Sequence, residues 1–246
     1  MTPNIRLLPL GSLDGPTNMA ADEAMLETAS ERGIASLRFY TWTEPTLTLG
    51  YFQPAAAREQ HPNLSSLPWV RRSTGGAGIV HHRELTYAFA LPPGAEWKSA
   101  ESWICLFHHL VQSVLGDVGV ASRLVVCGEE QKLGEVLCFL HQTPGDMLLN
   151  GSKVAGSAQR KLRGAILQHG SLLLRRSEFA PMLPGMEDLV GRDLFTPQEL
   201  AEQLAARFAK DAAATIEPRD WSAKERDRIP EIVAQKYANL EWNAKR

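Results

Sequence analysis

Cysteine is scarce in this chain and badly spaced for structural work. Cys105, Cys127 and Cys138 are its three thiols, an odd number too scattered for a zinc knuckle or a disulfide framework, so a reducing cytoplasm is the expected setting. Long apolar runs are missing too. No stretch reaches the roughly 18 residues a membrane span needs, and the start, Met1-Thr-Pro-Asn-Ile-Arg6, has no basic segment leading into an apolar run. A surplus of charge is lacking as well. The formal net charge of -2 and the short Arg71-Arg72 pair argue against nucleic acid as a main partner, because neutralising phosphates takes a concentrated basic surface. Internal repeats, low-complexity tracts and a clear linker are also absent. What remains is an ordinary globular composition, 44% hydrophobic and 22% charged over 246 residues, enough to bury a sizeable core.

The pattern along the chain mixes strands and helices. Ile5 to Leu10 alternates as a short strand, and Thr17 is placed to cap a helix that carries Asn18 and Asp22 in its first turn and stops at Gly33. Leu37 to Trp42 and Thr46 to Tyr51, joined by Thr43-Glu-Pro45, predict a hairpin. Trp69 to Arg72 is a strand opening into Ser73-Thr-Gly-Gly-Ala-Gly78, and Glu84 to Leu91 is the strand beyond that loop. Apolar positions at intervals of three and four make Ala100 to Gly116 an amphipathic helix, with Cys105 off its stripe. Leu124 to Cys127 predicts a short strand, Asn150-Gly151 a hairpin turn, and Ala165 to Leu174 the last strand. Two capping boxes follow, Thr196-Pro-Gln-Glu199 and Ser222-Ala-Lys-Glu225. Because strands and helices do not strictly alternate, the expected class is α+β, a mixed, largely antiparallel sheet flanked by helices.

Chemistry concentrates in two places. Cys138 is a candidate nucleophile and Lys153, just after the Asn150-Gly151 turn, a candidate cation, since a nearby ammonium favours the reactive thiolate. The same lysine could instead grip an acyl or phosphate oxygen. Read singly, a cysteine is more often a small buried hydrophobe and a lysine a solvated charge. The second place is Arg71 to Gly78, where cations stand beside glycines able to turn successive N–H groups toward an anion. It fits neither the P-loop nor the dinucleotide pattern. His169 could reach a substrate carbonyl or be a satisfied strand residue, while the adjacent His108 and His109 point about 100° apart on a helix and make no two-ligand metal face.

Taken together, Arg71-Arg-Ser-Thr-Gly-Gly-Ala-Gly-Ile-Val-His-His-Arg-Glu-Leu-Thr-Tyr87, Gly151-Ser-Lys-Val-Ala-Gly-Ser-Ala-Gln159 and Gln168-His-Gly170 resemble the lipoate-protein ligase and octanoyltransferase family, with further matches in Asn18 to Glu23, Leu37 to Trp42 and Leu49 to Gln53. The resemblance implies the catalytic fold shared with biotin protein ligases. It also implies a cleft for the acyl chain and its activating group, lined through Arg72, Gly75, Gly76, His81 and Lys153. Thr74, Ala77, Gly78, Gly156, Ser157, Ala158, His169 and Gly170 complete the expected substrate-binding set, and no metal site is expected. Glu84-Leu-Thr-Tyr87 and Cys138-Phe139 resemble the cysteine-dependent octanoyltransferases more than the ATP-using ligases. Ala77, His82 and the stretch 141–144 depart from the family pattern.

The resemblance therefore implies a single catalytic domain over residues 1–246, with 196–246 a helical extension and no accessory domain. Its expected activity is transfer of an octanoyl or lipoyl group from acyl carrier protein to a lysine of a glycine-cleavage H protein or lipoyl domain, through an acyl-enzyme on Cys138. Neither cofactor nor membrane is expected to take part. The alternatives are an ATP- and magnesium-dependent lipoate or octanoate ligase in which Lys153 holds the acyl-adenylate, and a silent scaffold that binds carriers.

Overall fold

A computed structural model describes residues 3–94, 97–134 and 136–245; Met1 and Thr2, at the start read as having no basic segment before an apolar run, lie outside the described residues. The chain opens with β1 (Asn4–Leu7) and β2 (Gly11–Leu13), so the predicted Ile5 to Leu10 strand ends early and a second short one follows. Helix α1 (Gly15–Arg32) comes next. Its cap is Asp14, whose side chain accepts from the Thr17 N–H, and not Thr17; Pro16 starts the first turn and Gly33 ends the helix in the left-handed conformation. Then come β3 (Ala35–Trp42), β4 (Thr46–Leu49), the short α2 (Pro62–Ser65), β5 (Trp69–Arg71), β6 (Ile79–His81), β7 (Glu84–Leu91) and α3 (Trp103–Asp117), capped by Ser102. Short strands β8 (Arg123–Leu124), β9 (Gln131–Lys132) and β10 (His141–Gln142) lead to β11 (Met147–Leu149), β12 (Ser152–Leu162) and β13 (Ala165–Leu173). The C-terminal part holds α4 (Met186–Val190), α5 (Pro197–Asp211), β14 (Thr215–Pro218), α6 (Ala223–Ile232), a π turn over Val233–Tyr237, and α7 (Leu240–Asn243).

Among the described residues nine strands form one sheet in the order β14-β1-β3-β7-β13-β12-β11-β8, with β2 beside β3. Its pairs from β3 through β7, β13, β12 and β11 to β8 are antiparallel, and those of β1 with β3 and β14 are parallel, so the mixed, largely antiparallel α+β arrangement is the one found. A smaller three-stranded sheet, β5-β4-β6, stands apart. That separation corrects the predicted hairpin. β3 belongs to the large sheet and β4 to the small one, so Thr43-Glu-Pro45 carries the chain between sheets instead of folding it back. The glycine-rich loop likewise runs from β5 into β6, a strand unseen in the pattern. The strand predicted over Leu124 to Cys127 is instead the two-residue β8, which shares only Leu124 with it, and β13 is not last, because β14 adds itself to β1.

Each face of the large sheet has its own core. Phe89, Phe107, Phe208 and Leu204 lie between the sheet and α3 and α5, and Ala20, Ala24, Met25 and Ile232 between the sheet and α1 and α6. Both predicted capping boxes form at α5 and α6. A third cluster, with Leu47, Leu49, Leu64, Val80 and Leu137, sits under the small sheet and anchors the segment before Cys138.

Candidate functional site

Between the large sheet and the small one lies a cleft whose empty space, counting the part open to solvent, is about 500 Å3. Cys138 enters it at the start of a one-turn helix (Cys138–Leu140), half-buried, its N–H donating to Gly78 O at 2.7 Å. Gly78 in turn donates to Val136 O at 2.8 Å, so the end of the glycine-rich loop and the cysteine segment are laced together. Lys153 arrives from the large sheet. The turn before it is the predicted one, with Asn150 and Gly151 at φ 48° and 80°. Its side chain is buried, with Nζ 3.8 Å from Cys138 Sγ, 3.4 Å from Cys138 O and 3.0 Å from His141 O. A side chain at Gly156 would stand 3.1 Å from that Nζ, which explains the small residue there.

The ammonium is not devoted to the sulfur alone. Asp146 Oδ2 lies 2.6 Å from Lys153 Nζ, and its carboxylate is oriented by the Thr143 N–H and hydroxyl at 2.8 and 2.9 Å. Sequence reasoning missed Asp146, whose only signal was a turn-forming Thr-Pro-Gly-Asp stretch. A buried ammonium needs such a counter-charge. Asp146, being closer, takes the larger share of the lysine's field and leaves Cys138 the remainder.

Arg72 supplies the second cation, and it braces the loop from within. Buried, it donates through Nη2 to Gly75 O and Ala77 O at 2.7 and 2.8 Å and through Nη1 to Thr48 O and Oγ1 at 3.3 Å; among the described residues its Nε has no partner. Burial lowers this guanidinium from its usual value to about 10, with attraction to the Cys138 thiolate acting the other way.

Two buried carboxylates orient the histidines. Glu84 accepts from Thr86 at 2.6 Å, from Ser171, and from His81 Nδ1 at 2.5 Å, while His81 Nε2 meets Thr48 Oγ1 at 2.8 Å and its ring stacks on Trp42. Asp22 accepts from Tyr40 OH at 2.9 Å, from His169 Nδ1 at 2.8 Å and from Arg38 at 3.3 Å, and His169 Nε2 meets Thr74 Oγ1 at 2.7 Å. Asn18 and Asp22 are thus buried supports of His169. A third network passes from Tyr87 through Ser157 to His108 Nε2 at 2.6 and 2.7 Å, with His108 Nδ1 on the Gly145 carbonyl. Burial pushes His108 down to about 4, so its ring stays neutral, and with Nδ1–H on the Gly145 carbonyl its Nε2 accepts a hydrogen bond from the Ser157 hydroxyl.

Of the residues singled out from sequence, Arg72, Gly75, Gly76, His81, Cys138, Gly156, Ser157, Ala158, His169 and Gly170 line the cleft, together with apolar Met19, Tyr40, Ile79 and Phe139. Lys153, Thr74, Ala77 and Gly78 are not part of that lining. His82 turns to Ser177 at 3.1 Å, Cys127 is exposed on the surface and Cys105 lies half-buried on α3. Among the described residues no group of three or more His, Cys, Asp or Glu is arranged to hold a metal, and no helix is long and apolar enough to cross a membrane. The arrangement provides a thiol beside an ammonium, glycine backbone on the facing loop and an apolar pocket, which are the parts acyl transfer needs.

Comparison with known proteins agrees with that chemistry. The Lipoyl protein ligase A/B catalytic domain family matches residues 14–183. Octanoyltransferase LipM of Kyrpidia tusciae is 33% identical, covering 97% of both chains, and that of Bacillus subtilis is 28% identical over 98% of both. A putative lipoate protein ligase of T. acidophilum with bound lipoic acid superposes with a TM-score of 0.75 at 21% identity over the whole of both chains, and lipoate-protein ligase A bound with ATP with 0.72 at 19% over 99% of each.

Proposed function

Because this chain belongs to the lipoyl protein ligase A/B catalytic domain family and is an acyltransferase, we propose that it moves an octanoyl group from acyl carrier protein to a lysine of a glycine-cleavage H protein or lipoyl domain. The observation that carries this reading is the 3.8 Å approach of Lys153 Nζ to Cys138 Sγ at the edge of an apolar cleft. Near full-length likeness to octanoyltransferases supports it.

In the first half-reaction the Cys138 thiolate attacks the donor thioester. A new C–S bond forms, the carrier's thiolate leaves, and backbone N–H groups near Gly75-Gly76 or Gly156-Ser157 stabilise the oxyanion. One thioester replaces another, so no nucleotide is needed. In the second half-reaction the neutral amine of the acceptor lysine attacks acyl-Cys138. The C–N bond forms, the C–S bond breaks, and the amine's proton ends on the sulfur; conversion of thioester to amide makes the step downhill. Met19, Tyr40, Ile79 and Phe139 take the acyl chain. We take residues 1–246 as one catalytic domain acting in the cytoplasm, with 196–246 its helical extension.

Incubation with octanoyl-acyl carrier protein and H protein in EDTA without nucleotide tests the reading. Transfer at full rate, with no product from free octanoate plus Mg-ATP, is expected. The reverse pattern would make the chain a ligase, and no turnover with any acyl donor would make it a scaffold.

A further inference from the structure

The small helix α7 reaches the back of the glycine-rich loop. Asn243 is buried there, and its Oδ1 accepts the Arg71 backbone N–H at 2.8 Å while its carbonyl accepts Arg71 Nε at 2.9 Å. Trp242 Nε1 donates to the Arg71 carbonyl at 2.8 Å, and Asn243 Nδ2 donates to Tyr237 O at 2.9 Å, so both ends of the amide are engaged. Arg71 and Arg72 are successive in an extended segment and point to opposite sides. Arg72 braces the loop at the cleft, whereas Arg71, fully buried, donates from Nη1 to Gly50 O and Gln53 O at 2.8 and 2.6 Å.

The path continues to the thiol. Gln53 Nε2 donates to Val136 O at 2.9 Å; Val136 O also accepts from Gly78, and Gly78 O accepts from Cys138 N. Asn243 is therefore joined to Cys138 through Arg71, Gln53 and Val136, all by hydrogen bonds between segments distant in sequence. None of these groups touches the 500 Å3 cleft except Cys138 itself.

We propose that Asn243 is a positioning residue for the reaction: by fixing Arg71, and through it the turn at 50–53, α7 holds the Val136 to Cys138 segment where the thiol meets Lys153. The proposal rests on the reading that Cys138 is the reacting group. Spatial continuity alone does not establish coupling, so the test must measure it.

In the full-length protein, Asn243→Leu, Asn243→Asp, Gln53→Met and the double variant Asn243→Leu/Gln53→Met are compared by kcat, KM for octanoyl-carrier, thermal midpoint and the iodoacetamide rate of Cys138 followed by peptide mass spectrometry. Asn243→Leu and Gln53→Met are each expected to lower kcat and the Cys138 alkylation rate about tenfold with KM little changed, since small misplacement of a reacting group acts on the rate. Asn243→Asp keeps the acceptor for Arg71 N–H and should recover most of the loss. The double variant should be no worse than the worse single one, because both break the same path. An unchanged alkylation rate in Gln53→Met, which leaves α7 intact, would overturn the proposal, as would losses that multiply in the double variant or an Asn243→Asp as slow as Asn243→Leu. Alkylation of the unacylated protein reads the position of the thiol whether or not that thiol serves as acyl carrier, so absence of an acyl adduct would fail the functional reading separately.

Discussion

The two walls of the cleft are held by different means. The wall that brings Lys153, Gly156, His169 and Gly170 is two long strands, β12 and β13, paired with each other over eight residues and continued by β7 and β3 into the large sheet. Its polar side chains lean on carboxylates buried in the same body, Asp22 and Glu84. The facing wall, with Arg72, the glycines and Cys138, hangs on a three-stranded sheet and is fixed one hydrogen bond at a time by Gln53, Arg71 and Asn243. The first wall is held by long ladders; the second, with short ladders and the apolar cluster beneath it, leans more on side-chain hydrogen bonds. The cation therefore stands on the long-stranded side, and the proposed nucleophile on the side of the small sheet.

The largest effect should come from the nucleophile itself. Cys138→Ala is expected to lower transfer by roughly a thousandfold or more while leaving the circular dichroism spectrum and thermal midpoint near those of the parent, because the whole covalent route is lost. Loss of fold together with activity would mean that the segment is structural.

Next comes the ammonium that reaches across to the thiol. Lys153→Met removes the ammonium and leaves the Asp146 carboxylate without its counter-charge, so alkylation of Cys138 at pH 7 should slow roughly ten- to a hundredfold and much less at pH 9.5, where the thiol ionises unaided. Lys153→Met/Asp146→Asn should regain part of that rate. Lys153→Arg should keep most of the charge effect yet impair turnover, since a planar guanidinium does not fit where a compact ammonium meets two carbonyls. Equal rates for all variants at both pH values would show that the walls do not communicate electrostatically.

Gly50→Ala probes the weaker wall without touching a charge. A side chain there would stand 1.7 Å from Gly76 O, forcing the turn at 50–53 away from the loop. Destabilisation of about 1 to 3 kcal/mol, the usual consequence of overpacking, should be accompanied by slower Cys138 alkylation in urea titration and labelling experiments. Normal labelling would free the thiol from dependence on the small sheet.

The contrast also explains what was legible in the sequence. Lys153 could be placed because its turn is local: Asn150-Gly151 specifies a hairpin within two residues, just as Thr196 to Glu199 and Ser222 to Glu225 specify their own helix caps. Glycine and arginine in the loop, and the cysteine, carried the family resemblance to its cleft. The supports did not show. Glu44 and Pro45 look like any hairpin turn, and only the burial of β3 and β4 in separate sheets decides otherwise. Asp22 read only as a residue of its helix's first turn, yet its partner His169 is brought to it by sheet order. Asn243 lies in a four-residue helix with no local pattern, and its role exists only through contact with Arg71.

A further effect concerns pH and the large-sheet wall. His108 is held near 4 by burial, below the ordinary value of about 6.5, so between those values the unfolded chain binds a proton that the folded one excludes. Stability from this group is full above pH 6.5 and falls as pH drops toward 4, by up to about 3 kcal/mol. His108→Gln should lose that segment of the pH dependence of the urea midpoint. Identical slopes in both proteins would show that His108 does not titrate on unfolding.

The proposed acyl carrier is the thiol on the loop side, Cys138, and the product of the first half-reaction tests that role most directly. After incubation with octanoyl-acyl carrier protein alone, intact-mass and peptide mass spectrometry should find one hydroxylamine-labile octanoyl group, on Cys138. An adduct on Cys105 or Cys127, or none at all in a preparation that transfers octanoyl to its acceptor, would contradict the account.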